Sequence, residues 1–182
     1  MRRWALLVGP KGTRKYLLAA DLAGALTARG ISVRGIIQEE IQEEDVCVGY
    51  RIRRLGTEEQ LPLARRGATA REPTEESFCS FVFDRQAFSL ATRWVEEDAL
   101  GAEVVIIDEV SKLEAAGGGH HDAVLRALAG PPFVVLSVRA EELFSVMERF
   151  ALDEPTAVLD AADPTALASF VDAIATASRP AS

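Results

Sequence analysis

Apolar residues run unbroken from Trp4 to Val8, stop at a Gly-Pro pair, and return at helical spacing as Leu18, Leu22, Ala25 and Leu26 within residues 15 to 29. The unbroken run suits a central strand covered on both faces, and the periodic segment suits a helix capped by Gly30. β-Branched residues come back in ISVRGIIQ, residues 31 to 38, so a right-handed crossover to a parallel second strand is predicted. The acidic run EEIQEED, residues 39 to 45, reads as a solvated turn or edge without a chemical role. VCVGYRIRRL and TEEQLPLARRG alternate apolar and polar around a Gly-containing break, which predicts a β-hairpin insertion at about 46 to 64.

Polar residues 67 to 76 read as a loop, SFCSFVF as one short strand, and residues 85 to 100 as a helix. AEVVIIDEV and PFVVLSV are further strands, separated by a Gly-rich turn and a helix. AEELFSVMERFAL reads as a helix, TAVLD as a short strand, and Asp163-Pro164 as the start of a last helix. Strands alternating with helices predict a three-layer α/β fold with a mostly parallel sheet. One domain is expected over 1–178, with 179–182 as a fraying tail.

Composition narrows the function classes. Hydrophobic residues at 48% and charged residues at 26% are an ordinary globular balance. A net charge of -8 argues against a broad footprint for nucleic acid or an anionic membrane, so any anion must bind locally. Cys47 and Cys79 show no metal-ligand spacing and are expected to be free buried thiols. Arg2 and Arg3 precede an apolar run too short for a signal segment, and no stretch is long enough to span a membrane, so a cytoplasmic protein is expected.

Two segments carry candidate chemistry. GPKGTRKY, residues 9 to 16, has the Gly and Lys separation of a phosphate-binding loop, in which backbone N–H groups and a helix N-terminus face phosphate oxygens. Gly9, Pro10, Lys11, Gly12, Thr13, Arg14, Lys15 and Tyr16 are therefore the candidate nucleotide-binding residues. Arg14 stands where the second glycine belongs, and Tyr16 where a Ser or Thr normally binds magnesium. VVIIDEV then places Asp108 and Glu109 at the carboxyl end of a buried strand, where open α/β sheets bind ligands. Asp108 is the candidate magnesium ligand; Glu109, with Lys15, is a candidate catalytic residue, acting as the general base.

GPKGTRK, VGYRIRRLGTEEQLPLARRG, FCSFVFDRQAF, VVIIDEVSKLE and PFVVLSVR resemble, in order and approximate spacing, the small P-loop nucleoside-triphosphatases first described from thermophiles, also called the cancer-related nucleoside-triphosphatase family. The resemblance covers about residues 4 to 160, and the hairpin with its LAR ending makes it specific. It includes the family's acid pair followed by a small residue, Lys, an apolar residue and Glu, here Asp108, Glu109, Ser111, Lys112, Leu113 and Glu114. It implies a RecA-like P-loop fold and slow, magnesium-dependent hydrolysis of nucleoside triphosphates such as ATP or GTP. Arg14-Lys15-Tyr16 departs from the family's Gly-Lys-Thr or Gly-Lys-Ser, which bears on hydrolysis more than on fold.

Other residues carry paired readings. His120 and His121 read as exposed loop histidines, with a water-positioning role as the alternative. Lys112 and Arg139 either reach the site or are solvated. Arg65, Arg66 and Arg71 form a basic cluster, a lid or docking patch against a plain solvated loop. Two functions fit these residues: a nucleotide-binding protein with weak or residual phosphohydrolase activity, or an inactive module of the same fold that regulates or scaffolds a protein partner.

Overall fold

The unbroken apolar runs become strands whose two faces are both covered. The computed structural model describes residues 3–67 and 69–179. The chain forms β1 (Trp4–Gly9), α1 (Lys15–Thr27), β2 (Val33–Glu43), β3 (Val46–Arg54), β4 (Gln60–Arg66), β5 (Glu75–Phe78), β6 (Phe81–Asp84), α2 (Arg85–Asp98), β7 (Val104–Val110), α3 (Lys112–Ala115), α4 (His121–Ala129), β8 (Phe133–Arg139), α5 (Leu143–Phe150), β9 (Val158–Asp160) and α6 (Leu167–Ser178). The strands make one sheet in the order β5-β6-β4-β3-β2-β7-β8-β1-β9. β2, β7, β8, β1 and β9 are parallel, and β3, β4, β6 and β5 extend the sheet antiparallel.

Leu6, Val105, Ile107 and Leu136 pack with α2, α4 and α5 on one face, and Leu7, Val104, Ile106 and Val135 with α1 and α6 on the other. This is the expected three-layer α/β arrangement. Fully burying each such aliphatic side chain contributes about 1.5–3 kcal/mol.

Several expectations are corrected. β2 does not stop before the acidic run but continues through Glu43, because β3 presents Arg51 and Arg53 to Glu39 at 2.7 and 2.6 Å. SFCSFVF is not one strand. Glu75–Phe78 and Phe81–Asp84 pair as a hairpin that turns at Cys79, whose φ of 55° is left-handed, so the end of the anticipated loop is already strand. Neither cysteine is buried: Cys79 is exposed on this turn and Cys47 is intermediate. α1 ends at Thr27, with Gly30 (φ 77°) turning the chain three residues later. Of the RPAS tail, all but Arg179 lies outside the described residues.

Two local contacts set the geometry of the sheet beside the acid pair. A Cβ on Gly35 (φ 115°) would lie 2.1 Å from the Ile106 carbonyl oxygen, so only glycine lets β2 approach β7 this closely. Arg54, on β3, pairs with Asp98 at 2.7 Å, Glu59 at 2.9 Å and Glu97 at 3.1 Å while its guanidinium lies over Trp94. That network ties the antiparallel extension to α2.

Candidate active site

β1, β8 and β7 are parallel neighbours, so their carboxyl ends meet at one rim. Gly9 is in register with Arg139, and Val110 with Val138. The phosphate-loop segment and the acid pair are therefore two strands apart on the same edge. A cleft of about 260 Å³ there is lined by Lys11, Gly12, Arg14, Lys15, Tyr16, Glu109 and Arg139, among others.

The loop keeps a tight turn despite its altered residues. Gly12 has φ 85°, and Arg14 adopts φ 48°, ψ 49°, a left-handed conformation that glycine takes without cost. Gly9 is enclosed, since a Cβ there would come within 2.8 Å of Ala161 Cβ and 2.9 Å of Thr13 Oγ1. Thr13 Oγ1 donates to the Pro10 carbonyl at 2.8 Å and closes the turn. The Arg14 side chain leaves the loop for β2, donating to Gln42 Oε1 at 3.0 Å. Lys15, the first residue of α1, is buried and forms no ion pair with a described residue. Burial first, then Glu40, pushes the Tyr16 phenol up, so it stands at the cleft as a neutral hydroxyl.

The acids are held far more firmly. Asp108 is buried and accepts from the Gln38 backbone N–H at 3.1 Å and from Ser137 Oγ. Ser137 Oγ in turn accepts from the Glu109 N–H at 3.1 Å. Burial, with Glu109 adding to it, pushes Asp108 up to about 7, while hydrogen bonds and the charge of Lys15 pull it back. Glu109 has φ 61° at a bulge between β7 and β8, the kind of strained backbone that clusters at functional sites. Its Oε1 accepts from Arg139 Nε at 2.7 Å.

Sequence reasoning missed Ser137, although a hydroxyl inside the apolar run FVVLSV was the available signal. Glu114 is not at the cleft's acid pair but beneath it, accepting from the Ser111 and His120 backbone N–H groups at 2.9 Å each. Burial pushes it up to about 7. His120 is not exposed: it is buried edge-on against Phe88, both ring nitrogens lack a hydrogen-bond partner among the described residues, and burial drives it down to about 4. His121 lies against Phe150 and accepts from Arg149. Lys112 is exposed beside the cleft, and Arg139 is bound to Glu109 rather than solvated. Of the basic cluster, Arg66 reaches the cleft, whereas Arg65 pairs with Glu75.

Among the described residues no group of three or more His, Cys, Asp or Glu could hold a metal unaided. The donor chemistry does fit magnesium, which is usually held by one or two carboxylates together with substrate phosphates and water. Each Asp108 oxygen carries one hydrogen bond, and the side chain is buried behind Glu109 rather than among the residues that line the cleft.

The family described as NTPase matches residues 5–160. The chain belongs to this NTPase family. A relative named nucleoside-triphosphatase THEP1 from Thermofilum pendens is 31% identical over 139 residues, 75% of this chain and 74% of that protein. A second THEP1, from Methanopyrus kandleri, is 30% identical over 122 residues, 67% of this chain and 65% of its own length. The solution structure of a human cancer-related nucleoside triphosphatase superposes with a TM-score of 0.77 at 21% identity, covering 98% of this chain and all (100%) of that one. That likeness agrees with the P-loop NTPase fold expected from the sequence. Among the described residues no helix is long and apolar enough to cross a membrane.

Proposed function

We propose that this chain binds nucleoside triphosphates at the rim cleft and hydrolyses them slowly to the diphosphate and phosphate. The supporting observation is that Lys15 and Glu109 line one cleft. Lys15 and the backbone N–H groups of Lys11 to Tyr16 hold the phosphates, the β- and terminal groups lying at the N-terminus of α1. Glu109 takes the proton of the attacking water, and Arg139 orients the Glu109 carboxylate. Asp108 would hold magnesium, which would supply neutralisation of phosphate charge. Tyr16 is a weak substitute for the missing Ser or Thr, because its neutral phenol sits several bonds further from the backbone.

A second reading, an inactive module that docks a protein partner, is favoured by the ion pair between Arg139 and Glu109. Two acids without a cation are costly to keep close, and here an arginine already meets one of them.

Titration with labelled ATP and GTP, with and without magnesium, separates the two. Magnesium-dependent binding with slow release of phosphate is expected; no binding at millimolar nucleotide overturns the enzyme and leaves the scaffold. The double substitution Arg14→Gly, Tyr16→Thr should raise hydrolysis, and an unchanged rate would show that the loop does not limit it.

A further inference from the structure

The aromatic residues are unevenly distributed. Four of the eight phenylalanines, Phe78, Phe81, Phe83 and Phe88, line a single cavity of about 110 Å³ together with Tyr50. The rings form a wall: Tyr50 lies 4.9 Å from Phe81 and 6.4 Å from Phe83, and Phe83 lies 5.8 Å from Phe88. Phe78 and Phe81 are half-buried on the β5–β6 hairpin, packed against the edge of the core with part of each ring left open. Interiors are otherwise packed to the density of organic crystals, so an open apolar space flanked by half-exposed rings is a place for a ligand.

Its position gives the ligand's role. Along the rim the order is the phosphate loop on β1, Arg139 on β8, Glu109 on β7, then Tyr50 on β3 and the phenylalanines of β6. Glu109 and Arg139 line both the cleft and the aromatic cavity, as do Tyr50 and Phe81, so the two spaces are continuous along the acid and the near edge of the aromatic wall. A triphosphate bound with its β-phosphate at the loop and its terminal group toward Glu109 would carry its nucleoside to the far side of the loop from the cavity. What faces the terminal phosphorus from the other side is whatever the aromatic wall holds, with Lys11 and Lys112 at the mouth to meet a new phosphate.

We propose that the aromatic cavity is a phosphoryl-acceptor site for a planar aromatic alcohol, which makes the chain a phosphotransferase as well as a phosphohydrolase. The inference rests on the reading of the rim cleft as a nucleotide site. The acceptor hydroxyl passes its proton to a Glu109 carboxylate oxygen and its oxygen bonds to the terminal phosphorus. The bond from that phosphorus to the bridging oxygen breaks, its electron pair leaving on the nucleoside diphosphate, and Glu109 then releases the proton to water. An aromatic ring in the cavity excludes the competing water, so transfer outruns hydrolysis.

The test incubates the full chain, and its Arg14→Gly, Tyr16→Thr form, with magnesium and ATP labelled on the terminal phosphate, adding benzyl alcohol, indole-3-ethanol or uridine. Labelled organic phosphate and free phosphate are separated and counted. Label on at least one alcohol, formed at least ten-fold faster than free phosphate, is expected. Phe78→Ala, at a half-buried ring outside the phosphate cleft, should cut transfer at least ten-fold and leave phosphate release within two-fold. Free phosphate alone with every alcohol, in both proteins, overturns the acceptor site and leaves the hydrolase standing; absence of nucleotide binding overturns both. A Phe78→Ala variant with a raised KM for ATP but not for inorganic triphosphate assigns the cavity to the nucleotide's own base and also overturns the proposal.

Discussion

The phosphate loop and the acid rim face each other across one cleft, yet they are built differently. The loop's departures from its pattern, Arg14 and Tyr16, sit on exposed or half-buried backbone that a short turn and one threonine bond hold in place. On the acid side, Asp108, Glu109 and Glu114 are each tied by buried or part-buried hydrogen bonds to other elements. Under the proposed function, a substitution in the loop is therefore expected to change nucleotide affinity with little effect on folding, whereas one on the acid rim should also change stability.

The sharpest way to break this contrast is at Glu109. Glu109→Gln should lower the turnover of nucleoside triphosphate by roughly 100-fold or more while nucleotide still binds, as removal of a general base does; steady-state rates beside a binding titration check it. Unchanged turnover would put the chemistry elsewhere.

Next is His120, which reports how firmly the rim's underside is packed. Its folded value of about 4 lies below the ordinary 6.5, so between those limits the unfolded chain binds the extra proton. Its contribution is complete above pH 6.5 and is lost as pH falls through 4. The stability of the native protein relative to His120→Phe should drop by about 3 kcal/mol over that window, read from urea unfolding at each pH. Glu114 and Asp108, both raised, act in the opposite sense, losing stability as pH rises toward 7; the difference between the two proteins cancels them.

Ser137→Ala should cost about 1–3 kcal/mol, because it strips a donor from buried Asp108 and an acceptor from the Glu109 N–H; chemical denaturation of the two proteins side by side measures it. Arg14→Gly is the smallest effect and the only gain: releasing a left-handed arginine should stabilise the fold by about 1 kcal/mol. A loss there, in a thermal melt, would mean that the Gln42 contact matters more than the backbone.

What the sequence made legible was the part governed by burial on both faces. Trp4–Val8 is apolar throughout, and VVII and FVVL open the segments that form β7 and β8 beside β1; their parallel order carries Lys15 and Glu109 to one cleft. Where pairing partners decide the outcome, the local pattern misleads. Glu39 belongs to a strand because Arg51 and Arg53 sit across from it, which no window around residue 39 contains. The β5–β6 turn had no glycine or asparagine to announce it, since Cys79 takes the left-handed position. The glycines before His120 predict an exposed histidine, yet Gly119 packs against the Glu114 carboxylate and the His120 N–H donates to it, which leaves the imidazole buried.

Gly35 bears no functional group and lies on a different strand from the acids. Even so, a methyl at that position would wedge β2 away from β7 and carry the Gln38 amide off with it. The ionisation of Asp108 is thus governed at a distance by an atom that is missing, and a search for activity-determining positions confined to polar side chains would pass over it.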